Sequence, residues 1–529
     1  MPEHQTEAKP SGLKRLRDTA PLGLSLIFLL LCVLVQYSTG AWNAAFTAYP
    51  DEPSHFISSV MIRDYFASGM TSSPMSFARN YYSHYPFFAV GYWPPFYYLV
   101  TAFTFLVLGV GRAQALVVSA LAAAGSATML VILLRKRCGS IIACCAGFVF
   151  LSLPEVQHWF STVMTDEMVA FLCLAAGVRL LIYLERPTAG NAAFCGICCA
   201  CAVLTKYSAA YICVVPVAAC LLLRRFDIMK KPSFLILYAT FAALAGPWIL
   251  ATMHGIATGL PSVQSDPVTT RIVSSARIAF GIFPLPLMIF VLLGVVALIV
   301  LHTTWQADVV VIALLGLGSF SLLIASPVDP ESRYFLGIAA ALLALAFAGW
   351  AAALSRTDAS AVVSALAVVL TIAFMATHLG AYPHTPNSSI GLIVRAVTSN
   401  PAWAGKRIVV ASDVEGPMIA EFAIQDHARP GYMLLRPSKL FSDEDWFGQH
   451  YISRYDSVQR LAASFARKNP ADLIIWHSRP SYVLRTHERL MDQMLSGGSL
   501  SWRKSASLPI ASSDGSTWCV YEFVPGQAY

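Results

Sequence analysis

APLGLSLIFLLLCVLVQYSTGAWNAAFTAYPDEPSH, residues 20–55, decides how the chain is read. Its first half is an apolar run from Leu22 to Val35, preceded by the basic cluster Lys14, Arg15 and Arg17. Its second half ends on an acidic pair, Asp51-Glu52, a short distance beyond the apolar segment. Charge in or beside a bilayer is costly and is kept where it pairs, binds or reacts. A second pair, Asp166-Glu167, opens a later apolar segment. Two acidic pairs at one face outline a single site on the outer surface of a membrane protein.

The rest of the chain supports the membrane reading. Of 529 residues 57% are hydrophobic and only 12% are charged, against about 25% charged in soluble domains. The net charge of +7 is not a nucleic-acid footprint, because its basic residues fall in short clusters between apolar runs. Lys14-Arg15-Arg17, Arg135-Lys136-Arg137, Arg224-Arg225 and Lys230-Lys231 read as cytoplasmic loops under the positive-inside rule. Basic residues, the first apolar run and the small residues Gly40-Ala41 imitate a signal peptide, but the many later spans favour an uncleaved signal-anchor. Cys195, Cys198, Cys199 and Cys201 crowd together among Ala and Gly with no His or carboxylate beside them. They read as small packing residues of a membrane helix rather than metal ligands.

Segments long enough to span are expected near 20–40, 113–134, 139–157, 166–184, 190–204, 207–223, 233–252, 278–301, 307–325, 335–354 and 360–381. Eleven spans with residues 1–19 as a cytoplasmic tail leave the first loop, 41–95, and everything after 381 outside. The apolar stretch 94–111 is read as a juxtamembrane helix, since counting it as a span would turn every later basic cluster outward. The expected fold is a polytopic helical bundle over 20–381, with a small C-terminal α/β domain over 382–529. That domain shows strand patterns at 407–411, 472–476 and 517–524, and helical patterns at 415–428, 456–468 and 481–495. The expected location is the plasma (inner) membrane of a bacterium, with the site and C-terminal domain extracytoplasmic.

Glycosyl transfer from a lipid-phosphate sugar needs a carboxylate to take the acceptor proton, cations for the leaving phosphate, and an apolar groove for the tail. The outer face offers Asp51 or Glu52 as base, Lys206 and Arg333 as phosphate partners, and apolar helices around them. His55, Tyr92 and Tyr334 are candidate substrate contacts, and Asp166-Glu167 is a second acidic pair for substrate or metal. Each has a plainer reading: Asp51 or Asp166 as a helix N-cap, Lys206 snorkelling to the interface, and the aromatic residues as an interfacial belt.

Asp51-Glu52, Tyr92-Trp93-Pro94-Pro95-Phe96-Tyr97-Tyr98, Asp166-Glu167, Leu204-Thr205-Lys206 and Glu331-Ser332-Arg333-Tyr334, in that order, resemble the GT-C glycosyltransferases. The likeness is to the protein O-mannosyltransferase and aminoarabinose transferase branch (family 39-like), over about 20–380. It implies a bundle of 11 to 13 spans and an inverting transfer from a polyprenyl-phosphate sugar to an acceptor glycan, lipid or protein. It implies Asp51 as base with Glu52 as its partner, and Lys206 and Arg333 at the phosphate. No cofactor is implied with certainty; whether Asp166-Glu167 holds a divalent metal stays open. The competing class is a transporter or flippase for a lipid or polar solute, which tends to carry ionisable groups at the midplane and repeated halves.

Overall fold

In the computed structural model the described residues are 12–524, apart from 89–90, 260–266, 302–305, 327–328, 355–359, 385–387, 412–413, 445–449, 468–469, 479–482, 498–500 and 509–516. The chain folds as two compact units, one of residues 1–39, 94–97 and 116–383, the other of residues 40–93, 98–115 and 384–529.

The first unit is helical. Six described helices are long and apolar enough to cross a bilayer alone: Arg112–Ser152, Asp166–Glu185, Pro232–Met253, Ala307–Ala325, Ser332–Leu354 and Ala361–His378. Val268–Gly281 and Leu285–Val300 would make a seventh span, but they meet at 110°. The expected eleven segments fall on helices, yet several of these are short, among them Leu22–Ser38, Ala189–Thr205 and Tyr207–Leu222. By length and composition the described residues offer six such helices, or seven with the bent pair, so the count of eleven is not confirmed. Phe96–Leu108 has 13 residues, about 20 Å of helix, too short to cross roughly 30 Å of hydrocarbon.

Arg112–Ser152 runs for 41 residues, about 60 Å, or twice that thickness. It is broken at Gly139, where φ is +75° and ψ 165°, a conformation open to glycine because it has no Cβ. The break falls between two expected spans, and Arg135–Arg137 lie just before it. Arg137 donates to both oxygens of Asp308 at 2.8 and 2.6 Å, and Lys136 Nζ donates to Glu185 Oε1 at 2.8 Å. The break, the start of Ala307–Ala325 and the end of Asp166–Glu185 therefore share one end of the bundle. Asp166 sits at the other, about 30 Å away along its own helix.

Small residues set the helix spacing. A Cβ on Gly349 would lie 1.8 Å from the carbonyl oxygen of Gly294, so Leu285–Val300 and Leu336–Leu354 cross in backbone contact. A Cβ on Gly196, within the cysteine-rich helix Ala189–Thr205, would meet the Leu237 carbonyl oxygen at 2.4 Å. This is the close packing of membrane helices, and all four cysteines there are free. Leu235, Leu250, Leu366 and Ile372 are more than half exposed on the outside of apolar helices, a surface that suits lipid and not water.

In the second unit a five-stranded sheet has strands β1 (Arg407–Ala411), β2 (Met433–Leu435), β5 (Leu473–Ser478), β6 (Trp502–Leu508) and β7 (Thr517–Phe523), in the order β2-β1-β5-β7-β6. Strands β3 (Ser442–Asp443) and β4 (Ile452–Ser453) form a separate ladder. Pairing is parallel for β2-β1-β5 and antiparallel for β5-β7-β6. Val409, Ile474 and Trp476 of the sheet pack with Leu461, Phe465, Met491 and Met494 of helices Val458–Arg467 and Thr486–Ser496. Helix Glu415–Gln425 contacts β1, helix Ser388–Thr398 and helix Glu52–Ala67. Residues 41–93 thus fold with the C-terminal domain, whereas the sequence groups them with the transmembrane part.

The two ends of the bundle can be told apart by labelling. Single cysteines at Lys136→Cys and Arg186→Cys should react with a membrane-impermeant maleimide from one side, and Glu331→Cys from the other. Reaction of all three from the same side would remove the turn at Gly139.

Candidate active site

The end of the bundle that carries Asp166 also carries Lys206 and Arg333. Lys206 stands where the chain leaves helix Ala189–Thr205 in extended conformation (φ −160°, ψ 137°), before the 3₁₀ turn Tyr207–Cys213. It does not simply snorkel: its Nζ lies 2.7 Å from Asp166 Oδ1 and 4.5 Å from the centre of the Tyr334 ring. Arg333 lies 4.9 Å from the same ring centre, donates to the Tyr334 hydroxyl at 2.9 Å and pairs with Glu331 at 3.0 Å. Two cations thus share one aromatic ring, whose quadrupole attracts both. Asp166, Arg333, Tyr334, Ser208 and Tyr211 line a cavity of about 20 Å³, room for about one water.

Asp166 is not the N-cap of its helix; Thr165 holds that position. The second carboxylate oxygen of Asp166 and both oxygens of Glu167 are buried with no hydrogen-bond partner among the described residues. Buried polar atoms are normally satisfied, so this pair carries more acceptor capacity than its surroundings use. A metal is a different matter. Among the described residues no three His, Cys, Asp or Glu side chains converge to hold one; Asp166 brings one carboxylate to the cavity, beside Lys206.

Asp51 lies in the second unit, immediately before helix Glu52–Ala67. It occupies the N-cap position, but its side chain makes no capping bond, so capping does not account for the carboxylate. The helix behind it is held firmly: residues 52–60 are all buried. Glu52, expected as the partner of Asp51, forms an ion pair with Arg112, their side chains 0% and 3% exposed. Arg112 Nε also donates to the Ala41 carbonyl at 2.8 Å, and its guanidinium lies 4.9 Å from the Phe46 ring. His55 Nδ1 is 2.8 Å from the Tyr98 hydroxyl, and its ring lies 4.5 Å from that of Trp93. Tyr92 packs edge-on to Trp93. Glu52 and His55 therefore anchor the turn that presents Asp51.

A second network was not legible in the sequence. Tyr81 donates to Asp64 at 3.0 Å, Tyr85 to Asp426 at 2.5 Å, and Arg429 reaches Asp64 at 3.2 Å. Burial, reinforced by the neighbouring carboxylates, pushes both phenols well above their ordinary value, so they stay protonated as donors. A Cβ on Gly416 would meet the Phe87 ring at 2.4 Å, so the loop and helix Glu415–Gln425 close together only because residue 416 is glycine.

No protein-family model matches the chain, and no curated protein matches it by sequence. Solved structures do. ArnT from Cupriavidus metallidurans bound to undecaprenyl phosphate superposes with a TM-score of 0.61, at 14% identity, over 96% of this chain and 99% of its own. The same enzyme in the apo state gives 0.62. The oligosaccharyltransferase AglB from Archaeoglobus fulgidus, in complex with an inhibitory peptide and a dolichol-phosphate, gives 0.51 at 12% identity, over 87% of this chain and 69% of that one. The chain shares the fold of ArnT and of AglB. That fold is a helical membrane part with a C-terminal domain containing a small sheet, as the sequence reading expects.

The Glu52–Arg112 pair gives a stability test. Removing one member of a fully buried pair costs about 3–5 kcal/mol, whereas replacing both by apolar residues can be nearly neutral. Glu52→Gln should therefore lower the Tm of the purified protein clearly, and Glu52→Leu with Arg112→Met should recover most of the loss. Equal stability of wild type and Glu52→Gln would mean the pair anchors nothing.

Proposed function

We propose that the protein is an inverting glycosyltransferase that moves a sugar from a polyprenyl-phosphate donor to an acceptor hydroxyl at the outer face of the membrane. The observation that carries this reading is the meeting of Asp166, Arg333 and Tyr334 around one small cavity at one end of the bundle, with Lys206 bonded to Asp166 and lying over the Tyr334 ring. Lipid phosphates occupy two proteins of this fold: undecaprenyl phosphate in ArnT and dolichol-phosphate in AglB. The location that follows is the inner membrane of a bacterium, with the cavity and residues 382–529 on the extracytoplasmic side.

Asp51 serves as general base. It takes the acceptor proton as the acceptor oxygen bonds to the anomeric carbon, while the bond from that carbon to the phosphate oxygen breaks. A single displacement inverts the anomeric centre, and polyprenyl phosphate leaves with the bonding electrons. Lys206 and Arg333 stabilise the charge that grows on the leaving oxygen, a contact worth more in the transition state than in the ground state. For the phosphate to enter, Lys206 exchanges its bond to Asp166 for one to the donor. Asp166 and Glu167, with acceptor capacity to spare, then receive hydroxyls of the donor sugar. Against transport stands the placement of the site's charges at helix ends, rather than at the midplane that transporters use.

Release of polyprenyl phosphate from a panel of undecaprenyl-phosphate sugars tests the assignment. A general base contributes about 10²- to 10⁴-fold, so Asp51→Asn should lose turnover in that range while remaining folded and inserted. Lys206→Ala and Arg333→Ala should each weaken donor binding and slow release, and Lys206→Arg should restore part of both. Near wild-type turnover in Asp51→Asn would end its role as base. Unchanged donor affinity and rate in both alanine variants would remove the cations from the site.

A further inference from the structure

Within the unit that carries Asp51 lies a second cavity, of about 370 Å³, that the steps above do not use. Tyr49, Pro50 and Pro53, which flank Asp51 in sequence, line it on one side, together with Phe46, Thr47 and Phe87. The C-terminal domain supplies the remainder, chiefly Glu415, Arg436, Glu444, Arg485 and His487. Its volume is near the lower end of the roughly 300–1,000 Å³ typical of small-ligand sites, enough for one or two sugar rings.

The charges in this cavity neutralise one another. Arg436 Nε donates to Glu415 Oε2 at 2.8 Å, and Ser438 adds its backbone N–H at 3.0 Å and its hydroxyl at 2.6 Å to the same carboxylate. Arg485 pairs with Glu444, which Lys439 also approaches at 3.7 Å, and the Arg485 backbone N–H donates to Glu488 at 2.7 Å. His487 is bonded to the Tyr451 hydroxyl at 2.8 Å. Three glutamates are thus balanced by two arginines and a lysine, which leaves no excess positive charge for a phosphate. The cavity offers instead planar carboxylate and guanidinium edges held in place by their own pairing, beside aromatic faces. The Arg436 guanidinium itself lies 4.3 Å from the Phe87 ring centre.

A pyranose is complementary to such a surface: neighbouring hydroxyls bridge a carboxylate or guanidinium edge, and the C–H face of the ring lies on an aromatic one. We propose that this cavity is the acceptor subsite and that it holds a neutral sugar, so that the hydroxyl delivered to Asp51 belongs to a neutral glycan rather than to a peptide or a phosphorylated glycolipid. The inference rests on the glycosyl-transfer reading and adds the class of acceptor.

The test uses the full-length protein in nanodiscs against an array of neutral oligosaccharides, phosphorylated oligosaccharides and serine- or threonine-containing peptides. Neutral oligosaccharides should be retained. Thr47→Trp, which fills the cavity from an exposed position, and Arg485→Ala should each weaken that binding at least about tenfold, or 1.4 kcal/mol. Arg454→Ala, which removes a half-exposed pairing with Asp443 outside the cavity, should not. Retention of only phosphorylated glycans or peptides, or unchanged binding in both cavity variants, overturns the inference. Release of undecaprenyl phosphate by the unaltered protein, measured in the same preparation with each member of the array as acceptor and with water alone, separates the two readings. Release without neutral-glycan binding sinks the acceptor class alone; no release from any donor sinks the glycosyl-transfer reading and this inference with it.

Discussion

Hydrocarbon solvates neither a charge nor an unpaired peptide group, and the membrane unit is arranged around that fact. Three ion pairs stand at helix ends: Arg137 with Asp308 and Lys136 with Glu185 at one end, Lys206 with Asp166 at the other. Between those ends the helices come into close backbone approach, as at Gly294 and Gly349, with single hydrogen bonds such as Trp350 Nε1 to the Phe290 carbonyl added to it. A site for a charged headgroup can then form only where helices stop. The extended residue Lys206 and the turn at Ser332–Phe335 are such stops.

The second unit obeys a different constraint. Glu52 and Arg112 are taken wholly out of water, and a buried pair persists only if geometry and further bonds offset desolvation. Here the Ala41 carbonyl and the Phe46 ring provide those contacts. The consequence is a fixed helix start: Asp51 stands one residue ahead of an immobile glutamate, with His55 locked against Tyr98 and Trp93 behind it. The C-terminal domain completes the arrangement, because the helix it packs against Glu52–Ala67 begins at Glu415, in the wall of the cavity beside Asp51.

The membrane class, the places of the helices and the main strands of the C-terminal domain were legible in the sequence. Apolar runs of fixed length and alternating patterns are local signals. Some of the site was legible too: Asp166, Lys206 and Arg333 stand out as charges at the ends of apolar segments. The pairing of Lys206 with Asp166, and the shared ring of Tyr334, were not, since nothing local sets the distance between residues so far apart in the chain. The same holds for Arg112, which at the head of an apolar helix resembles an ordinary interfacial cation. The short strand β2 and strand β6, whose register shifts between Lys504 and Ala506, also lack a pattern strong enough to read.

By itself the sequence determined that this chain enters a membrane, which segments are helical, and which charged residues could take part in chemistry, because solvent cost and periodicity act residue by residue. Tertiary structure alone decided that Glu52 is paired with Arg112 in the interior and that neither Asp51 nor Asp166 caps its helix through its side chain. It also decided that residues 41–93 belong with the C-terminal domain. Those outcomes depend on which surfaces meet, and that is settled by packing among distant segments rather than by any one of them.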